Sequence, residues 1–324
     1  DVWSEVLIAN TDSDLKFEAI QRWNDAVKKS PAKVGNLTLV EHAVLTAQNI
    51  RASKVNDTGR PTAKAQSQLK FLELVTRDIA TRVQQSARDQ QGTEGFKTAA
   101  RAYELYQIGF PQHVAAEKML INKSESLYRA EDWVRAGMTF EQLARVAKVK
   151  KKKNEFNESA IQSYVNALKK IDSLSALDVL RSRRAIREVG TGWIQSHMRH
   201  PAAASTAYNI AQSWYEDRHL PQAIQAFTFF VKSFPRDERV RDAIFMIINA
   251  YSQLDDFKGL VASAKSLEKT SGLSAEDRTA IRDASRRAQL KDLQLAAGNF
   301  GSKQYAENLM SMASKYKDSS MGAT

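Results

Sequence analysis

Three segments of the chain share one thirteen-residue pattern, and each ends in proline. They are Ala19 to Pro31 (AIQRWNDAVKKSP), Ala99 to Pro111 (AARAYELYQIGFP) and Ala223 to Pro235 (AIQAFTFFVKSFP). Each opens on a small residue, sets an aromatic four residues on and places another core residue three further. That spacing puts positions 1, 2, 5, 8 and 9 on one apolar stripe of a helix. The alanine lets a partner helix approach closely, and the proline cannot continue the helix. A chain built on such segments must pair helices. The rest of the composition agrees: 13 glycines and 6 prolines in 324 residues are roughly half the usual share. So few breakers argue against a sandwich, a barrel or a disordered chain, and 43% hydrophobic residues suffice for a core.

Ahead of the third segment lies a second helix, Ala207 to Tyr215, with Ile210, Ala211 and Trp214 on one face. Asp217 to Leu220 then turns the chain, and Pro221 suits a first helical turn. The unit from Ala204 to Pro235 is a helical hairpin of about 34 residues. Ile210, Ala211, Trp214, Leu220, Ala223, Phe227, Phe230 and Pro235 stand where the tetratricopeptide repeat (TPR) family has its signature residues, and the unit resembles that repeat. Leu127, Trp133, Ala136, Phe140 and Leu143 fit a second unit, and Ile247, Tyr251, Phe257, Leu260 and Ala264 a third. Ala136 follows Ala99 by 37 residues, as Leu260 follows Ala223. This longer step is similar to that of bacterial envelope TPR proteins, the outer-membrane assembly lipoproteins and the Tol-associated coordinator.

The expected fold is all-α, an irregular α-solenoid of TPR-like helical hairpins. Leu39 to Ala87 reads as long helices without TPR residues. Gly190-Thr191-Gly192 reads as a joint, giving an N-terminal stack over 1–190, a C-terminal stack with capping helices over 191–316, and a flexible tail over 317–324. Ser274, with Asp277 three residues later, is placed to cap a helix after the Ser271-Gly272 turn.

Catalytic chemistry finds little footing. The chain has no cysteine, so disulfides, Cys-ligated zinc, iron–sulfur clusters and thiol catalysis are excluded. No Gly-rich phosphate loop, nucleophile elbow or HExxH pattern occurs. His197 and His200 share the spacing of a metal pair, but no third ligand lies near in sequence, and helix-end polarity accounts for them. Glu131-Asp132 and Asp255-Asp256 sit where helices turn and read as caps. The expectation is a non-enzyme with no cofactor and no metal.

Binding finds more. The TPR resemblance implies a concave wall built from first-helix residues not used in packing. It assigns Ile121, Glu125, Tyr128 and Arg129 to that wall in one unit, Tyr208, Gln212, Tyr215 and Glu216 in the strong unit, and Phe245, Asn249 and Gln253 in the next. Aromatic rings with amide neighbours suit a groove holding a peptide or helix of a protein partner. The alternative is that these rings pack against adjacent helices, and the two readings stand level. The slots that clamp a terminal carboxylate in some chaperone-binding TPR proteins hold Ser205, Tyr208, Asn209 and Gln212, without lysine or arginine, so no such clamp is expected.

The chain is basic, with 48 Lys and Arg against 37 Asp and Glu. Lys148 and Lys150, Lys151, Lys152 and Lys153 form one run, read as the end of a helix, where cations oppose the dipole's negative pole. Arg181, Arg183, Arg184 and Arg187 form a second run at helical spacing. Together they are candidates for an acidic partner or polyanion such as nucleic acid, against the plainer reading of a solvated face. The longest nearly apolar run, Ala243 to Ala250, is under half of the ~20 residues a bilayer crossing needs. The opening Asp1-Val2-Trp3-Ser4 has neither Met nor a basic leader. With the resemblance, this yields the expectation of a periplasmic or outer-membrane-associated protein whose signal or anchor has been removed, the cytoplasm remaining the alternative.

Overall fold

The computed structural model describes residues 12–28, 37–56, 59–90, 92–296 and 303–315, with positions 5, 7 and 9 before them. The tail 317–324 and Pro31 lie outside these residues. Fourteen α-helices run through the described residues, which hold no strand. They are α1 (Ser13–Lys28), α2 (Leu37–Ser53), α3 (Ala63–Gln90), α4 (Thr93–Gly109), α5 (Ala116–Arg129), α6 (Trp133–Val146) and α7 (Lys150–Lys169). There follow α8 (Ala176–His197), α9 (Ala203–Glu216), α10 (Leu220–Ser233), α11 (Val240–Gln253), α12 (Phe257–Glu268), α13 (Ala275–Ala296) and α14 (Lys303–Lys315). Helices α1 to α7 pack each against the next, as do α9 to α14, and the fold is an α-solenoid of helical hairpins. None of the described helices is long and apolar enough to cross a membrane.

The apolar stripe of the repeated segment is the core. Ala99 and Ala223 are buried, as are the aromatics four residues on, Tyr103 and Phe227, and the next stripe residues, Tyr106 and Phe230. Helices α4 and α10 then stop one residue before Phe110-Pro111 and Phe234-Pro235. In the Ala19 segment, Ala19, Ile20, Trp23 and Val27 of α1 are buried in the same way.

Three hairpin turns are built identically. Glu131, Arg218 and Asp255 each take a left-handed backbone, with φ of 60°, 60° and 52°. The next amide reaches back to the helix just ended: Asp132 N–H to the Leu127 carbonyl (3.0 Å), His219 to Trp214 (3.0 Å) and Asp256 to Tyr251 (3.1 Å). This is the Schellman closure, which satisfies carbonyls that a helix end leaves orphaned. Asp256 then accepts from the Gly259 amide (2.9 Å) as the N-cap of α12. Ser274 and Asp277 cap α13 reciprocally, Asp277 N–H donating to Ser274 Oγ (3.0 Å) and Ser274 N–H to Asp277 Oδ2 (3.1 Å).

The chain divides into two compact units, 1–182 and 183–324, the division falling inside α8. In the first unit the core gathers Leu39, Ile50, Leu72, Ile79, Tyr103 and Met119 from α2 to α5. In the second, Phe257 and Leu260 pack with Ala288 of α13. Gly190 and Gly192 do not break the chain: α8 runs through both. A Cβ on Gly190 would lie 3.1 Å from Ile210 and 3.2 Å from Thr206, so this glycine serves a close helix approach. Buried Ile186, Trp193 and Ile194 hold the helix across the pair, outweighing the ~1 kcal/mol each glycine costs.

The lysine run is also placed differently from expectation. Lys150 to Lys153 open α7 rather than end α6, which closes at Val146. The turn between them, Ala147 to Val149, carries no glycine, proline or capping side chain to mark the boundary.

Candidate functional site

Side chains on alternate helices meet across sequence offsets of 34 to 39 residues. In the first unit Arg88 pairs with Glu125, 37 residues on (2.9 Å), Asn166 donates to the Tyr128 hydroxyl across 38 residues (2.9 Å), and Lys170 reaches Glu131 across 39 (2.7 Å). In the second unit Tyr215 meets Asn249 across 34 residues, and Arg241 meets Asp277 across 36 (both 2.8 Å). These links join α3 to α5, α5 to α7, α9 to α11 and α11 to α13, so the first helices of successive hairpins form a ladder.

In the second unit the ladder surfaces as an amide–aromatic cluster. The Tyr215 hydroxyl donates to Asn249 Oδ1, and Gln253 Nε2 donates to the Tyr215 hydroxyl (2.8 Å). Gln253 also bonds Asn249 and receives Arg218. Asn249, Gln253 and Arg218 are exposed and Tyr215 half-buried. The other rings expected on this wall serve packing. Tyr208 is wedged edge-on against Phe227 (5.7 Å) and Phe230 (5.4 Å), with the Arg239 guanidinium 5.1 Å from its ring. Burial pushes its hydroxyl pKa up. Phe245 is half-buried beneath Arg241 at 5.3 Å. Gln212 bonds Glu216 one turn on (2.8 Å). In the first unit Arg129 is exposed, 5.6 Å over the Phe96 ring, beside Tyr128.

The two basic runs separate. Lys150, Lys151, Lys152 and Lys153 are all exposed and form no ion pair among the described residues. The arginine run is not a free stripe. Arg183 pairs with Glu216 (2.7 Å) and Asp217 (2.9 Å), and Arg187 with Asp217 (2.6 Å) and the Ser213 carbonyl (3.0 Å). Arg187 also lies 4.4 Å over Trp214. Asp217 is only 8% exposed. Arg183 is thus committed to holding α8 on α9 and is withdrawn from an outside anion. Arg184 is exposed but pairs with Glu188 (2.7 Å). His197 stacks on Trp193 at 4.7 Å and His200 meets the same ring edge-on at 5.0 Å, so these histidines cover an indole.

A cavity in the first unit had no signal in the sequence. It has a volume of about 560 Å3 and lies between the end of α2, the first half of α3 and the turn after α4. Leu69, Phe110 and Pro111 form its apolar walls, and Arg51, Lys70, Glu73 and His113 its charged or titratable lining. Glu73, 4% exposed, accepts from the Tyr106 hydroxyl (2.8 Å) and pairs with Arg77 (2.8 Å). Burial, and then Glu73, hold the Tyr106 hydroxyl far above the usual phenol range. His113 Nδ1 lies 3.3 Å from Glu73 and accepts the Ala115 amide (3.2 Å). Its residues come from three separated stretches of chain, and no local spacing joins them.

No family model matches the chain, and no curated protein matches it. Among solved structures, one titled "Computational Design of Self-Assembling Cyclic Protein Homooligomers" is similar at 14% identity. That match covers 96% of this chain and 85% of the designed one, with a TM-score of 0.11, too low to carry any inference.

Proposed function

We propose that the chain is a non-catalytic scaffold that holds a segment of a partner protein along the first-helix face of its hairpins. The observation that carries this reading is the Tyr215–Asn249–Gln253 cluster, exposed amides gathered around the hydroxyl of a tyrosine whose ring rests edge-on against Phe227 (6.4 Å). Such groups can exchange their mutual hydrogen bonds for those of a bound backbone, while the ring supplies contact area at low entropy cost. The resemblance to envelope TPR proteins supports placing it in a bacterial envelope assembly, with a peptide or helix as the ligand. The test is a pulldown from nuclease-treated lysate, washed at low and high salt, with wild type and the Tyr215→Ala/Asn249→Ala pair. A discrete protein retained at high salt by the wild type and lost from the pair supports the scaffold. Equal retention by both overturns the assigned face.

The exposed, unpaired Lys150 to Lys153 favour a second reading, in which the scaffold binds a polyanion. Each neutralised phosphate would release counterions, so that affinity would fall steeply with salt. Capture of nucleic acid alone, lost at high salt, would replace the first reading with this one.

A further inference from the structure

The cavity of the first unit belongs to neither reading. At about 560 Å3 it is within the range that encloses a small organic molecule, and it is walled on one side by Leu69, Phe110 and Pro111. Its polar groups are not symmetric in charge. Arg51 is half-buried at the mouth, its guanidinium 5.1 Å from the Phe110 ring centroid. It donates to the Gly109 carbonyl, and no carboxylate pairs with it among the described residues. A desolvated guanidinium with donors to spare is costly unless an anion meets it. Burial depresses its pKa, and no acid offsets that shift. Lys70, exposed on the next turn of α3 from Gln66, adds a second cation at the rim.

The acid in the cavity does not cancel these charges. Glu73 is held by Arg77 at 2.8 and 3.3 Å and by the Tyr106 hydroxyl at 2.8 Å, so its charge is spent inside the fold. His113 Nδ1 is occupied within the fold, 3.2 Å from the Ala115 amide and 3.1 Å from the Tyr106 hydroxyl. The cavity therefore offers cationic donors beside an apolar wall.

We propose that this cavity is a binding site for a small carboxylate with an aromatic or branched aliphatic body. Its carboxylate sits on the Arg51 fork with Lys70 alongside, and its body lies against Leu69, Phe110 and Pro111. The planar fork matches a carboxylate in two parallel hydrogen bonds, which a lysine alone could not do.

The experiment titrates the full chain by calorimetry with 2-naphthoate, with the neutral 2-naphthylmethanol and with inorganic phosphate. Saturable binding of 2-naphthoate, at least tenfold tighter than that of 2-naphthylmethanol, supports the site. Arg51→Met keeps an apolar stem on Phe110 and removes the charge. It should weaken 2-naphthoate at least tenfold and leave 2-naphthylmethanol unchanged. Should Arg51→Met lose its helical circular dichroism, Lys70→Ala, on an exposed position, should still weaken 2-naphthoate about threefold. No binding at millimolar ligand, equal binding of acid and alcohol, or tighter binding of phosphate would each overturn the assignment. So would unchanged affinity in both variants.

Discussion

The Tyr215 hydroxyl donates to Asn249 Oδ1 at 2.8 Å, joining residues 34 positions apart on helices α9 and α11. Tyr208, two turns earlier on α9, instead presses its ring between Phe227 and Phe230 of α10. Two tyrosines of one helix thus do different work. Tyr215→Phe removes one exposed hydrogen-bond group and should cost no more than about 1 kcal/mol in stability. Tyr208→Ala empties a half-buried ring site and should cost about 2–3 kcal/mol. Urea unfolding of the two variants separates them. A Tyr215→Phe loss as large as that of Tyr208→Ala would make Tyr215 core and remove it from the binding face.

Asp217 carries two arginines. Arg183 and Arg187 approach it at 2.9 and 2.6 Å, and all three side chains are largely shielded from water. Removing one member of a buried ion cluster leaves charge without compensation, which outweighs the modest net worth of the intact pair. Asp217→Ala should therefore destabilise the second unit by about 3 kcal/mol, and Asp217→Ala with Arg183→Met should recover part of that. The check is a double-mutant cycle in denaturant. Additive losses would mean that the cluster contributes nothing as a unit.

Acid should loosen the start of the first unit. Asp14 is hydrogen-bonded to Lys54, to Gln68 (2.7 Å) and to Lys64 (2.9 Å), and these partners, Lys54 first, hold its carboxyl well below the usual range. Because the folded value is depressed, the added stability is present above the unfolded value near pH 4 and is lost as pH falls below it. The side chain is 40% exposed, so solvent screening limits the effect to about 1 kcal/mol. Wild type should lose this stability progressively as pH falls below about 4, and Asp14→Asn should lack that loss. Parallel pH profiles for the two proteins would exclude Asp14 as the titrating group.

Local rules made the hairpins legible. The small residue, aromatic and proline of Ala99 to Pro111 and Ala223 to Pro235 each act within one helix, so the strings AARAYELYQIGFP and AIQAFTFFVKSFP carry α4 and α10 on their faces. What escaped depends on residues far apart in sequence. Arg183 reads as a free cation until Asp217, 34 positions on, is folded against it. Gly190 reads as a breaker until Ile210 and Thr206 show what its missing side chain makes room for. The cavity assembles Arg51, Glu73 and His113 from two helices and a turn, a juxtaposition with no periodic signature. Tyr208 and Tyr215 read alike because both lie on the helix face that meets neighbours, and only their partners on other helices separate them: Phe230 for the Tyr208 ring, Asn249 and Gln253 for the Tyr215 hydroxyl.

The lysine run gives a prediction in which stability and binding move in opposite directions. Lys150 and Lys151 occupy the first turn of α7, where the helix dipole presents its positive pole and where no ion pair relieves them. Exchanging both for glutamate should stabilise the helix, by about 0.5 kcal/mol for each site, because the new charges suit that end. If the run binds a polyanion, the same exchange should cut affinity for a single-stranded oligonucleotide at least tenfold at low salt and flatten its salt dependence. A thermal melt and a fluorescence-anisotropy titration of Lys150→Glu/Lys151→Glu read both quantities on one protein. A higher melting temperature with unchanged oligonucleotide affinity would leave the lysines as solvated surface. A lower melting temperature would contradict their position at the start of α7.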